Sequence, residues 1–397
     1  MKEDNKNYII FGPRVSGEMR ETILNQFGGE EIPVDFGPFA SGAVHCELFP
    51  FLRDERKWKT AEQIEQRYKE NLDKLRGSKV VVVESTGEQP HVSDSLERVR
   101  SATSTLKKYG VREVTLAMAN CAYDRQDRDF KEQGRFCSVN AEWLAKELKA
   151  RGADHVITVA PHSAGTIRLW QNEFGKNYHV LHSNELFADD IKNRFGDLKN
   201  IAIGAPDGAD KPNDQGQARA KELAEAVFGE SEIEAKLFKI GKEHISANET
   251  KVSGFSGDVT GKNCVIIDDM SDGGGTLIND ARNLKAEGAK SVTAYATHAI
   301  CIYNEKEKKS GLEHLLEPEE NGQIITPSPI DNVVLTDSIP EIVEKRAALN
   351  QELQKRVSII SVGSIISKEI ERVQSLKKSQ FSGRVPQWGT DNKVSTR

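Results

Sequence analysis

The sequence contains no apolar run long enough to span a bilayer. Its opening stretch, MKEDNKNYIIFG, has no apolar core of the kind a signal peptide carries. Both absences lead us to expect a cytoplasmic protein that does not engage a membrane. Positive charge is not in excess either. The net charge is -6 and the pI about 6.0, so bulk attraction to nucleic acid or anionic lipid is not expected. Cysteine is sparse: Cys46, Cys121, Cys137, Cys264 and Cys301 are scattered, odd in number and form no CxxC pair. They read as reduced thiols, buried small hydrophobes rather than catalysts. What is present fits a globular chain. There are 397 residues, 37% hydrophobic and 29% charged, and two domains are the default expectation for that length.

One stretch organises the rest: Asn263-Cys264-Val265-Ile266-Ile267-Asp268-Asp269-Met270-Ser271-Asp272-Gly273-Gly274-Gly275-Thr276. Cys264 to Ile267 read as a short buried parallel strand. Two carboxylates follow where that strand should end. A glycine-rich turn closes on Thr276, and Leu277, Ala281 and Leu284 then repeat at helical spacing up to Gly288. A glycine loop entering a helix N-terminus is an anion site, because backbone N–H groups approach closely and the helix dipole favours negative charge. The carboxylates would repel phosphate. They suit vicinal sugar hydroxyls or a hydrated Mg²⁺. Phosphate beside a diol is a ribose phosphate. A glycine turn alone would serve equally as a tight connection; the adjoining acidic pair sets this one apart.

Strand and helix alternate along the chain. Strands are expected over 8–12, 79–83, 111–119, 155–159, 200–204, 291–298, 331–335 and 357–362, with 36–51 and 234–240 extended. Helices are expected over 16–27, 92–109, 138–150, 215–228 and 363–377. The pattern implies an α/β fold with parallel sheets flanked by helices, and ligands beyond the carboxyl ends of the strands. Residues 52–76 read as an inserted charged surface helix, 303–325 as a second, turn-rich insertion, and the polar tail from Ser379 as mobile. Two related domains are expected, over 1–180 and 181–345, with a closing strand and helix over 346–378, a tail over 379–397 and a ligand cleft between the halves.

The loop 268–276 resembles the phosphoribosyl-diphosphate (PRPP) binding loop of type I phosphoribosyltransferases and PRPP synthetases. The order Tyr-x-Arg-Gln-Asp (123–127), Gly-Ala-Asp-His-Val-Ile-Thr (152–158), Pro-Asp-Gly (206–208), Lys-Glu (242–243), Asp-Asp-Met-x-Asp (268–272) and Thr-Asp-Ser-Ile-Pro (336–340) is similar to PRPP synthetase, or ribose-phosphate diphosphokinase, over roughly residues 8–378. The resemblance implies two type I phosphoribosyltransferase-like domains. It implies transfer of the β,γ-diphosphoryl group of ATP to the anomeric hydroxyl of ribose 5-phosphate, with Mg²⁺, in homodimers or hexamers. It places Arg125, Gln126 and Asp127 at ATP, with Phe39 stacking near adenine from a neighbouring subunit and Ser41 on the adenine side. It places His162 and Asp207 at the metal and phosphates, and Lys242 on a catalytic loop. Asp207, Asp268, Asp269, Asp272, Gly273, Gly274, Gly275 and Thr276 would bind the ribose phosphate. Diphosphoryl transfer needs positioning and cationic stabilisation more than covalent chemistry, which suits Mg²⁺, arginine and lysine.

The chain departs from the family pattern at several points. Ala160-Pro161-His162 stands where the family has Asp-Leu-His, so one metal carboxylate is absent. Lys242-Glu243-His244 stands for Lys-x-Arg, so a fixed cation becomes a titratable imidazole at His244. Ser41 and Ala43 replace Asn and Glu. Gly273 replaces a threonine whose hydroxyl would meet the terminal 5-phosphate. That loss opens space and suits an acceptor whose 5-phosphate is esterified, such as ADP-ribose, as in phage-encoded relatives that rebuild NAD. A non-catalytic PRPP synthetase-associated protein is the third reading; retention of Lys242, His162, Asp207 and the acidic pair argues against it.

Overall fold

The computed structural model describes residues 7–38, 41, 43–50, 59–87, 92–206, 215–229, 233–246, 249–304, 308–320, 323–324 and 327–375. Its first sheet has six parallel strands in the order Glu30–Glu31, Asn7–Phe11, Lys79–Glu84, Glu113–Met118, His155–Val159 and Tyr178–Leu181. The valine run of Lys79–Glu84 shows why the sheet is covered on both faces. Side chains of a strand alternate, so Val80 and Val82 enter one apolar layer and Val81 and Val83 the other. The first layer is closed by the helices Val92–Lys108, Asn140–Ala150 and Ala164–Phe174, which contribute Leu96, Val99, Leu144 and Trp170. The second is closed by Gly17–Phe27 and by the last helix, Gly363–Ser375, through Met19, Ile23, Ile366 and Ile370.

The second sheet has five parallel strands in the order Val357–Ile360, Asn332–Thr336, Ser291–Ala299, Asn263–Ser271 and Ile201–Gly204. Helix Gly275–Ala286 covers one face with Leu277, Ile278, Ala281 and Leu284. Helices Asn184–Phe195 and Gln215–Phe228 cover the other with Phe187, Ile191, Leu223 and Val227. The strand Val357–Ile360 completes this sheet, while the helix that follows returns to the first sheet. The closing segment thereby ties the two halves together.

Helix ends follow local chemistry. Ser16 caps Gly17–Phe27 by accepting the Met19 N–H, and Gly28 ends that helix at φ 64°, a left-handed conformation that glycine adopts without strain. Thr60 and Gln63 form a reciprocal capping box at Ala61–Leu75, a largely exposed helix within the expected first insertion.

One expectation is corrected. Residues 234–240 are not uniformly extended: Ile233–Lys236 forms a helical turn, and the strand begins at Lys239. That strand, Lys239–Ser246, pairs antiparallel with Glu249–Ser256 as a two-stranded hairpin apart from the main sheet. The segment expected as the second, turn-rich insertion contributes to the core. Its helix Gly311–Leu316 buries Leu312, Leu315 and Leu316 completely in the core beneath the glycine loop. Apolar residues at helical spacing inside a charged stretch carry that burial.

The sequence Thr336-Asp337-Ser338 acts as an interdomain lock. Ser16 Oγ donates to Asp337 Oδ2 at 2.5 Å, and Ser85 Oγ donates to the Ser338 carbonyl at 2.8 Å. His298 adds to it, with Nδ1 3.0 Å from Ser338 Oγ and Nε2 3.1 Å from the Val159 carbonyl. Arg14 pairs with Glu341 at 2.7 Å. These contacts bring the carboxyl ends of strands from both sheets together.

Candidate active site

The strand Asn263–Ser271 pairs with Ser291–Ala299 along its length, as far as Ser271↔Ala299. Its pairing with Ile201–Gly204 stops at Ile266↔Gly204. Asp268 and Asp269 therefore stand past the end of one neighbour while the other still fixes their backbone. The strand is longer than the apolar run suggested because pairing continues through the carboxylates.

The loop after it is held from behind. The N–H of Cys301 donates to the Ser271 carbonyl at 2.8 Å, and that of Ile302 to the Asp272 carbonyl at 3.1 Å. Gly274 caps helix Gly275–Ala286 at φ 78°, and a Cβ there would lie 2.6 Å from Leu315 Cδ2. Both conformation and space require glycine at 274. Gly273 and Gly275 differ: a Cβ at either would meet nothing within 4 Å.

A cavity of about 520 Å³ lies over this loop. It is lined by Asp268, Asp269, Asp272, Gly273, Gly274, Gly275 and Thr276 from the loop, by Arg125, Arg128, His162 and Ser163 from the first domain, and by Arg219 from helix Gln215–Phe228. Asp269 is its electrostatic centre. His162 Nδ1 lies 2.6 Å from Asp269 Oδ2, and Arg219 Nη1 lies 3.1 Å from Oδ1. Burial opposes ionisation of Asp269, but the His162 hydrogen bond and the Arg219 charge outweigh it and hold this carboxyl below its ordinary range. Asp268, 3.6 Å from Arg219, is shifted the opposite way, by burial and then by the charge on Asp269. Two adjoining carboxyls with displaced affinities leave one fixed acceptor and one group that can hold a proton.

Arg125 spans the cleft, its Nη1 2.6 Å from Asp272 Oδ2. Asp124 is buried, and its Oδ2 accepts the backbone N–H of His162 at 2.6 Å. Burial pushes the Asp124 carboxyl up to about 7. Ser163 caps helix Ala164–Phe174 by accepting the Thr166 N–H. Asp127 points to that end. It accepts from Ser163 Oγ, and a Cβ on Gly165 would fall 2.4 Å from its Oδ2. Asp127 thus organises the helix terminus that carries His162 and Ser163, and it does not line the main cavity. Gln126 is exposed and accepts from Asn140 Nδ2 at 2.5 Å.

Ser41 is an exposed turn residue outside the cavity lining. Lys242 and His244 lie on the hairpin strand Lys239–Ser246; their side chains lie outside what the structure describes. Phe39 and Asp207 lie outside the described residues. Asp124 and Arg219 are the functional candidates that sequence reasoning missed. Arg219 directly precedes Ala220, which with Leu223, Ala224 and Val227 forms the helix's buried stripe. An arginine flanking such a stripe, in a helix after a strand's carboxyl end, was the available signal. Burial pushes the thiols of Cys46, Cys264 and Cys301 up to about 12, in keeping with inert cysteines.

Among the described residues, the only three ligand side chains close enough to hold an ion together are Asp35, His45 and Glu47, on a short hairpin outside this cavity. No helix among them is long and apolar enough to cross a membrane.

Comparison with known proteins adds to this geometry. Residues 9–152 match the N-terminal domain of ribose phosphate pyrophosphokinase, and residues 212–327 match the phosphoribosyl transferase domain. A ribose-phosphate pyrophosphokinase of Hyphomonas neptunium is 30% identical over 321 residues, covering 81% of this chain and 88% of that protein. One of Chromobacterium violaceum is 28% identical over 368 residues, covering 92% of each. The crystal structure of phosphoribosylpyrophosphate synthetase from Mycobacterium smegmatis superposes with a TM-score of 0.67 at 20% identity, covering 93% of this chain and 99% of that one, a likeness of fold. By sequence over most of its length, the chain belongs to the ribose-phosphate pyrophosphokinase family.

Proposed function

We propose that this protein transfers the β,γ-diphosphoryl group of ATP to the anomeric hydroxyl of ribose 5-phosphate, giving PRPP and AMP. The observation that carries the reading is the acidic pair Asp268–Asp269 set beside a glycine loop at a helix N-terminus and facing three arginines. The loop 272–276 takes the 5-phosphate through backbone N–H groups. Asp269, kept ionised by His162 and Arg219, accepts hydrogen bonds from the ribose diol. The anomeric oxygen attacks the β-phosphorus of ATP, the bond from that phosphorus to the bridging oxygen breaks so that the oxygen leaves with AMP, and the anomeric proton passes to solvent water.

In this reading Arg125 and Gln126 hold ATP, with Phe39 and Ser41 on its adenine side and Asp127 ordering the adjoining helix end. Lys242, on its hairpin, neutralises charge on the transferred group, with His244 beside it. The donor set fits Mg²⁺ that enters with the nucleotide. No three protein ligand atoms converge at the cavity among the described residues, and Mg²⁺ bound through phosphates, water and one or two side chains needs none. His162 and Asp207 would hold it, and when bound it supplies charge neutralisation on the phosphates. His162 keeps its ring fixed through Asp269. A neighbouring subunit that brings Phe39 to the nucleotide implies a homodimer or hexamer.

Gly273 favours a second reading, the same transfer to ADP-ribose, giving its 1-diphosphate for NAD rebuilding. The open space at its Cβ position leaves room where an esterified 5-phosphate continues. The test is AMP release from ATP and Mg²⁺ with each acceptor offered separately. AMP with ribose 5-phosphate supports the first reading, and AMP with ADP-ribose alone supports the second. AMP with neither refutes both and favours a regulatory partner.

A further inference from the structure

The loop that follows the strand Asn263–Ser271 is gripped by a segment about 30 residues further on. The N–H groups of Cys301 and Ile302 donate to the carbonyls of Ser271 and Asp272, and the N–H of Gly311 donates to the Ile302 carbonyl at 2.9 Å. Between them Tyr303 pairs with Ser310, and Ser310 forms a reciprocal capping box with Glu313 at the helix Gly311–Leu316. The segment thus closes on itself while its first residues hold the loop.

Gly311 is the tightest point. Its φ lies outside the left-handed region, so its own conformation does not demand glycine. Its surroundings do. A Cβ there would lie 2.4 Å from the Asp272 carbonyl oxygen and 2.9 Å from Cys301 Cα. Both are backbone atoms, and no change of rotamer clears them. The fit is reciprocal, since a Cβ on Gly274 would lie 2.6 Å from Leu315 Cδ2. The far end of the segment is anchored: Leu312, Leu315 and Leu316 are fully buried, and Arg356 Nη1 donates to the Leu316 carbonyl at 3.1 Å. Cys301, at the near end, is buried at φ 47°, a left-handed conformation that costs a residue other than glycine energy. Such strain persists where the surrounding contacts over-determine it.

Asp272 is therefore held on every side. Its carbonyl accepts from Ile302 and abuts Gly311, and its carboxylate holds Arg125. The N–H groups that follow take their direction from that peptide, and they are the donors of the anion site. Gly311 and Leu315 line neither that cavity nor the smaller one beside it, so any effect they have passes through the loop.

We propose that Gly311 and Leu315 are positioning residues for the acceptor: through Asp272 and Gly274 they set the aim of the backbone N–H groups that receive its phosphate. That the anion is the acceptor's phosphate rests on the proposed function; the grip on the loop does not.

The test is Gly311→Ala, read by kinetics and by hydrogen exchange. Alanine forms helix better than glycine, so a loss comes from the new contact. Ordinary contact begins at 3.4 Å, so the Asp272 carbonyl must move by about 1 Å, a misplacement that can cost about 100-fold. The KM for the ribose phosphate acceptor rises about tenfold or more, while that for ATP stays within about twofold. The amides of 272–276 exchange about tenfold faster, and those of the strand Lys79–Glu84 are unchanged. An unchanged acceptor KM, an equal rise in both KM values, or unchanged loop exchange overturns the positioning role. Leu315→Ala makes the opposite steric change, opening space beneath Gly274, and gives the same split in KM; wild-type values there also overturn it. One measurement needs no variant. In the unmodified protein the amides of Cys301, Ile302 and Gly311 exchange as slowly as those of the buried strand Ser291–Ala299, and fast exchange there overturns the grip. Exchange requires no turnover. AMP release with unchanged loop exchange in Gly311→Ala would overturn the positioning role and leave the proposed function standing. Faster loop exchange in a protein that releases no AMP with either acceptor would refute the proposed function and support the grip.

Discussion

Replacing Arg219 by methionine keeps most of the side-chain bulk and removes the guanidinium from the acidic pair. Arg219 lies 3.1 Å from Asp269 and 3.6 Å from Asp268, with only 6% of the Asp269 side chain and 19% of its own exposed. Breaking a buried ion pair by deleting one partner costs about 3–5 kcal/mol. The His162 bond to Asp269 survives, and Asp268 can take up a proton, so the expected loss is smaller, about 2–3 kcal/mol at pH 8. The sign with pH follows from the two carboxyls. Asp269 has a lowered affinity for protons in the folded state, so its contribution is full above the ordinary carboxylate range and is lost as pH falls through its folded value. Asp268 has a raised affinity, raised further without Arg219, so its protonation relieves the variant as pH falls. The deficit should therefore be smaller at pH 5 than at pH 8. Urea unfolding of both proteins at the two pH values measures it. A deficit that is equal at both pH values, or below about 0.5 kcal/mol at pH 8, would refute the assignment of Arg219 as the cation that balances this pair.

Three other substitutions probe the site. Lys242→Ala should lower kcat about 100- to 1,000-fold while the KM for ATP changes little; an unchanged kcat in steady-state assays removes Lys242 from catalysis. Asp269→Asn should raise the KM of the ribose phosphate acceptor about tenfold or more by losing a charge-assisted acceptor; a wild-type KM refutes its role at the diol. Gly273→Thr should fold normally, since its Cβ meets nothing within 4 Å. It should lower the KM for ribose 5-phosphate about fivefold through one added hydrogen bond and raise that for ADP-ribose. Equal effects on both acceptors would show that residue 273 does not discriminate between them.

The acidic pair and glycine loop were legible in the sequence because four features of one segment act together: apolar strand, carboxylates, glycines and a periodic helix. The strand–helix alternation was legible for the same local reason. Arg219 was not, because its role depends on how helix Gln215–Phe228 packs against the strand Asn263–Ser271, and no spacing along the chain encodes that distance. Asp124 occupies the variable place of Tyr-x-Arg-Gln-Asp, and only the turn at Ala160-Pro161-His162, folded against it, makes it a neighbour of His162. Thr336-Asp337-Ser338 was legible as a motif, but its contacts join the domains. The helix Gly311–Leu316 was hidden by the charges around it, although its three leucines recur at helical spacing and fill the core under Gly274.

In the proposed reaction the anomeric oxygen of the acceptor attacks the β-phosphorus of ATP. Its most direct test uses an acceptor carrying ¹⁸O at the anomeric hydroxyl, with AMP counted and the product read by mass spectrometry. The expected result is one AMP per product, and a product that keeps the label in the oxygen joining sugar to diphosphate. Product that lacks the label while unreacted acceptor in the same sample retains it, or product formed without stoichiometric AMP, would contradict it.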